Sequence, residues 1–131
     1  MRTTNFEEEM KMKIEELLSA MEKEGGARPV TMELLSQLDE SAVFEHASNK
    51  QWLFSKTAIP NKYKLLMSIT AAAAVGQENC IKTYVKSALQ QGIQKDEIME
   101  AILVARFVNA TTVISASVDA MKLLVEDGQT N

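Results

Sequence analysis

Apolar positions recur every three or four residues along most of the chain, which predicts helices rather than strands. Phe6, Met10, Ile14, Leu17, Leu18 and Met21 share one face of a first helix. Thr4 and Asn5 precede it as expected caps, with Glu7 and Glu8 three residues after each at capping-box spacing, and Gly25-Gly26 stops it. Lys11, Lys13, Glu15, Glu16, Glu22 and Lys23 fill much of the remaining circumference as a solvated face. A short second helix is expected from Pro29 and Thr31 through Leu34, Leu35 and Leu38. Asp39 or Ser41 then restarts the chain toward Val43, Phe44, Trp52 and Phe54, with a break expected near Asn49. Lys56 to Ile59 reads as a loop, and Pro60 suits a first helical turn, where its missing N–H would have been unbonded anyway.

The second half is more apolar. Lys62 to Val75 is apolar around most of its circumference, through Leu65, Leu66, Met67, Ile69 and four alanines, and Gly76 closes it. A further helix from about Asn79 carries Ile81, Tyr84, Val85, Ala88 and Leu89 on one face and stops at Gly92. Glu97 begins another, through Ile98, Ile102, Ala105 and Val108, and a last one is expected from about Ala110 to Val125. Within it, Thr111 to Ser115 is β-branched and favours a strand by propensity. It lacks polar–apolar alternation, however, and Ala116, Ala120, Met121 and Leu124 continue the helical spacing. The expected fold is therefore all-α, a single domain of about six helices with the hairpin from Lys62 to Gln91 at its centre and residues 128–131 as a flexible tail.

A helix that is apolar all round must be covered on every side. A domain of this size has too few layers to cover three of them, so other subunits are expected to complete the burial. Ala71 to Ala74, Ala116 and Ser117 would let helices approach closely. The chain is expected to be a homo-oligomer.

Composition narrows the function. The formal net charge is −4, with no Lys/Arg run, which argues against nucleic-acid binding by phosphate neutralisation. No uninterrupted apolar run approaches the ~20 residues of a membrane span, and the start Met1-Arg2-Thr3-Thr4 does not read as a signal peptide. A cytoplasmic location is the expectation. Cys80 is the single cysteine, so no disulfide can form within the chain. One histidine leaves no His-rich metal cluster, and five glycines form neither a dinucleotide fingerprint nor a phosphate loop. No cofactor or metal is implied.

Cys80 and Tyr84 are the candidate catalytic residues. Cys80 falls in the first turn of its helix, where free N–H groups and the helix dipole favour a thiolate. Tyr84, four residues on, can face it, whereas Lys82 at two residues points away. The alternative is an inert, buried cysteine acting as a small hydrophobe. Lys62, Lys64 and Lys86 can be read as anion-binding or simply as exposed helix residues. Ser115 and Ser117, with no histidine beside them, are expected to pack or bond backward to carbonyls. His46 sits in a helical Glu45-His46-Ala47 context and is expected at the surface, and the eight methionines are expected as adaptable core filler.

The stretch from Ile59 to Leu124 resembles the carboxymuconolactone decarboxylase family, which includes the alkylhydroperoxidase D-like proteins. The resemblance rests on Lys62-Tyr63-Lys64-Leu65-Leu66 leading into Ala71 to Ala74, then Gln77-Glu78-Asn79-Cys80 and Tyr84. Ala88-Leu89-Gln90-Gln91-Gly92 and Glu97-Ile98-Met99-Glu100-Ala101 follow in order at matching spacings. Residues 1–58 then form an N-terminal helical extension to a family core at 59–124. The resemblance implies an alkylhydroperoxidase D-like helical bundle, assembled as a homotrimer or a hexamer of trimers.

In the redox members a C-x-x-C-x-x-x-H motif and a glutamate on the preceding helix form a proton relay. Here Cys80 takes the second cysteine position, while Gln77, Tyr84 and Leu65 stand where the first cysteine, the histidine and the glutamate would be. Leu cannot carry a proton, and a phenol of pKa ~10 is a poor base near neutrality. The decarboxylase branch, acting on small lactones or carboxylates, would need the same histidine.

Two readings follow. The first is a non-catalytic oligomer that has lost most of the relay and binds a small ligand near Cys80, with Gln77, Leu65 and Lys64 lining the site. The second is a one-cysteine peroxidase or thiol oxidoreductase using Cys80 with an outside thiol. A decarboxylase is a third and more distant reading.

Overall fold

The structure is a computed structural model that describes residues 2–127, with side chains from Glu8 onward other than Met10 and Met12. The expected tail at 128–131 and the expected packing of Phe6 and Met10 lie outside the described residues. Every element is a helix, and no strand occurs among the described residues.

Seven helices follow one another: α1 (Arg2–Gly25), α2 (Val30–Leu38), α3 (Glu40–Ser55), α4 (Asn61–Val75), α5 (Glu78–Gln90), α6 (Lys95–Ala116) and α7 (Val118–Asp127). Glycine stops act as the sequence predicts. Gly26, Gly76 and Gly92 have φ of 81°, 73° and 83°, a left-handed conformation that closes a helix end at little cost only for glycine.

Three boundaries differ from expectation. The first helix starts at Arg2, so Thr4 and Asn5 lie inside it rather than capping it. No break occurs at Asn49, because α3 is held at both ends. Asp39 accepts a hydrogen bond from the Ser41 N–H at 3.0 Å at its start, and Lys64 reaches its final carbonyls. Such end contacts outweigh the modest helix penalty of an interior asparagine. Likewise α6 runs straight through residue 110. Asn109, instead of ending its own helix, donates from Nδ2 to the Ala74 carbonyl at 2.9 Å and so caps α4. The break comes at Ser117, whose Oγ donates backward to the Val113 carbonyl at 2.7 Å.

The core of the second half forms where α4 packs on α5 and α6. Leu65, Ile69, Ala88, Ile93, Ile98 and Ala101 are buried together, with Leu66, Tyr84, Val85 and Ile102 against them. α4 and α6 lie side by side in the same direction. Lys62 pairs with Glu97 at 2.7 Å near one end, Thr70 donates to the Ala101 carbonyl at 2.8 Å midway, and Asn109 reaches Ala74 at the other end.

A second cluster joins α1 to α2 and α3 through Ile14, Leu18 and Val43. Arg28 ties the same region together, gripping both oxygens of Glu15 at 2.8 Å and Glu33 at 2.6 Å. The two clusters meet where the end of α1 crosses α5. There Gln90 Nε2 donates to the Lys23 carbonyl at 3.4 Å, and Gly25 sits against Thr83.

By length and composition α6 is apolar enough to cross a membrane, with a mean hydropathy of 1.5 over its best window. Glu100 and Arg106 interrupt the apolar run within that helix without bringing the average below this value.

Candidate functional site

Cys80 is the third residue of α5, and Gln77 precedes that helix in an extended conformation without a side-chain cap. The first N–H groups of α5 therefore have no intrahelical partner, as at any helix start. Cys80 is half-buried and free, and Gln77 is exposed at the mouth of the helix.

Tyr84 lies one turn further along α5, half-buried against the cluster that contains Leu65. Burial raises its phenol above its ordinary value near 10, and the neighbouring Cys80 and Glu24 push the same way. Tyr84 is thus held as a neutral hydroxyl, able to donate a hydrogen bond and unsuited to act as a base at neutral pH.

Leu65, at the position the resemblance assigns to the relay glutamate, is only 4% exposed within the apolar cluster. A carboxylate there would need a charge or hydrogen-bond partner to offset its desolvation. The structure packs Tyr84 against the cluster that holds Leu65, with Cys80 one turn before Tyr84 on α5.

Lys64 goes elsewhere. It is 7% exposed, and its Nζ donates to the Leu53 carbonyl at 2.9 Å, to the Lys56 carbonyl, and to Asn61 Oδ1 at 3.4 Å. The ammonium also lies 6.0 Å from the centre of the Phe54 ring, within cation–π range. Its protons are committed to the C-terminal end of α3 and to Asn61 at the start of α4. Lys62, the other lysine of this turn, is paired with Glu97.

One polar group near Tyr84 has no signal in the sequence. Glu24, at the end of α1, accepts from Lys50 at 2.5 Å and from Ser87 Oγ at 3.5 Å. Gln91 Nε2 donates to the same Ser87 hydroxyl at 3.3 Å. This carboxylate reaches the Tyr84 side of α5 from a distant segment, which no local spacing reveals.

Two surface concavities lie away from Cys80. One, of about 480 Å3, runs along α1 beside Glu15, Glu16, Ser19, Ala20 and Lys23. The other, of about 440 Å3, is at the α5–α6 turn beside Leu89 and Gly92 to Asp96. Among the described residues no group of three His, Cys, Asp or Glu side chains is placed to hold a metal ion.

The sequence model of the carboxymuconolactone decarboxylase family matches residues 40–123. The chain belongs to the carboxymuconolactone decarboxylase family. The matched stretch takes in α3 as well as the helices from Asn61 onward, and it ends within α7. No individually curated protein matches the chain. Tyr84, one turn from Cys80, is a neutral phenol, and Leu65 lies in the apolar cluster against which Tyr84 packs.

Proposed function

We propose that this carboxymuconolactone decarboxylase-family protein is a cytoplasmic homo-oligomer, trimeric or a hexamer of trimers. It binds a small molecule beside Cys80 and does not turn over peroxide by the family's dithiol cycle. The observation that carries this reading is Leu65, closed into the apolar cluster next to Tyr84. For a thiolate to reduce a peroxide, its sulfur takes one peroxide oxygen, the O–O bond breaks, and the departing hydroxide needs a proton. Leu65 has none to give, and Gln77 provides no second thiol to attack the oxidised sulfur, form a disulfide and release its oxygen as water.

The chemistry beside Cys80 favours a small, mostly apolar ligand with one hydrogen-bond acceptor. Tyr84 supplies a donor, while Leu65, Leu66 and Val85 supply apolar surface. Lys64 is left out of this reading, since its protons already serve backbone carbonyls.

A peroxidase assay with small thiols and with a dithiol protein reductant, on wild type and on Cys80→Ser, tests the proposal. Absence of dithiol-coupled turnover is the expected result. Robust dithiol-coupled activity lost in Cys80→Ser would overturn the non-catalytic reading in favour of the one-cysteine enzyme. Activity that survives Cys80→Ser would place the chemistry on another residue. Gain of turnover in the triple variant Gln77→Cys, Tyr84→His, Leu65→Glu would support the loss of the relay as the cause.

A further inference from the structure

From Arg106 to Asp127 the chain is helical apart from the turn at Ser117, yet every residue except the half-buried Ser117 is exposed. This stretch is not polar. Phe107, Val108, Val113, Ile114, Val118, Met121, Leu123, Leu124 and Val125 are all large apolar side chains open to solvent. The second half of α6 and all of α7 therefore form an arm that leaves the body where Asn109 caps α4. Helical pieces of about this length are marginal in water without a packed face.

The surface area says the same. The chain exposes 9997 Å2. A compact 14.5 kDa monomer exposes about 6,900 Å2 by the scaling of surface with mass. The excess, roughly 3,000 Å2, is several times the roughly 800 Å2 that one partner contributes to a standard interface. That suits a subunit wrapped against more than one neighbour.

What covers the arm is constrained by its charges. Arg106 and Asp119 bracket Phe107 to Val118, a run of 12 uncharged residues. A bilayer needs about 20, whereas a run of this length is typical of a helix buried in protein. The chain also carries a matching surface. On α4, Met67, Ala71 and Val75 are exposed at four-residue spacing, and on α6 so are Met99 and Leu103. Each set forms one apolar stripe along its helix, the kind of surface into which an apolar helix packs.

We infer that the arm 106–127 is exchanged between copies, so that the arm of one copy packs on the exposed α4 and α6 stripes of another. This rests on the self-association proposed above and specifies the segment that carries it. It also places the contact at the end of the body where α5 begins, because α6 passes the end of α4 at Asn109 and Ala74.

Sedimentation combined with amide hydrogen exchange on the full chain tests the arm. The expected result is an oligomer at tens of micromolar in which the amides of 107–125 are protected, with protection lost on dilution to monomer. Phe107→Asp with Ile114→Asp should weaken association by about tenfold or more, since each exposed side chain would otherwise bury in the contact. Ile114→Ser and the wild-type dilution series stand as the readout if the double variant does not fold. An oligomer whose arm amides exchange freely would overturn arm exchange and leave self-association standing. A chain that stays monomeric would overturn both. A monomer that co-sediments with phosphatidylcholine–phosphatidylglycerol vesicles would overturn both and make a lipid surface the occupant.

Discussion

Ile69 and Ile114 are the same residue in helices of similar composition, and they meet opposite environments. Ile69, on α4, is 0% exposed at the centre of the main cluster, whereas Ile114, on the arm, is 63% exposed. The difference does not lie in local preference, since both segments are apolar and both are helical. It lies in what the fold places beside them. α4 is flanked by α5 and α6, while α6 beyond Asn109 outruns every helix of its own chain. Burial is a property of neighbours, and a helix that extends past its neighbours leaves its apolar side chains in water.

The largest effect should come from truncating these two isoleucines in parallel. Ile69→Ala should cost about 2–5 kcal/mol of stability, as expected where a buried aliphatic side chain leaves a cavity. Ile114→Ala should change the stability of the dissociated subunit by no more than about 0.5 kcal/mol. Chemical denaturation at low protein concentration measures both, and equal losses would break the distinction between body and arm.

Lys64→Met tests the body at a polar point. It keeps the long stem but leaves the Leu53 and Lys56 carbonyls without the ammonium, so a loss of about 1–3 kcal/mol is expected in the same assay. A neutral outcome accompanied by weaker ligand binding would return Lys64 to the site.

Tyr84→Phe should act at alkaline pH. Tyr84 is held above its ordinary value near 10 in the folded chain, first by burial. Above about pH 10 the folded protein therefore keeps a proton that the unfolded chain has released, and stability falls as pH rises. The variant should flatten that decline, read as melting temperature against pH.

The smallest effect is expected at Glu97, near the start of α6. Its carboxyl is held below the usual range, chiefly by the hydrogen bond from Lys62 and then by the Gln94 N–H. That contribution is complete above the ordinary carboxylate value and is lost as pH falls through the lowered one. Glu97→Gln should remove a small part of the acid limb and leave the association of the arm unchanged. A large change in association would show that the two halves of α6 do not behave independently.

Much of the fold was legible because its signals are local. Spacing of 3.6 residues, proline starts and glycine stops belong to neighbours in sequence, so the helix content and the ends at Gly26, Gly76 and Gly92 could be read directly. The boundaries near Asn49 and Asn109 could not. They depend on Lys64 reaching α3 and on Asn109 reaching α4, contacts that bridge 11 and 35 residues.

The candidate site divides in the same way. The sequence alone determined that Leu65, Gln77 and Tyr84, the positions the resemblance assigns to the relay, carry no carboxylate, thiol or imidazole wherever they sit. Only the tertiary structure decided that Lys64 serves carbonyls, that Glu24 comes from α1 to the side of Tyr84, and which apolar residues remain in water. The physical reason is range: side-chain chemistry and helix propensity act within a few residues, whereas burial and ion pairing depend on which distant segments meet.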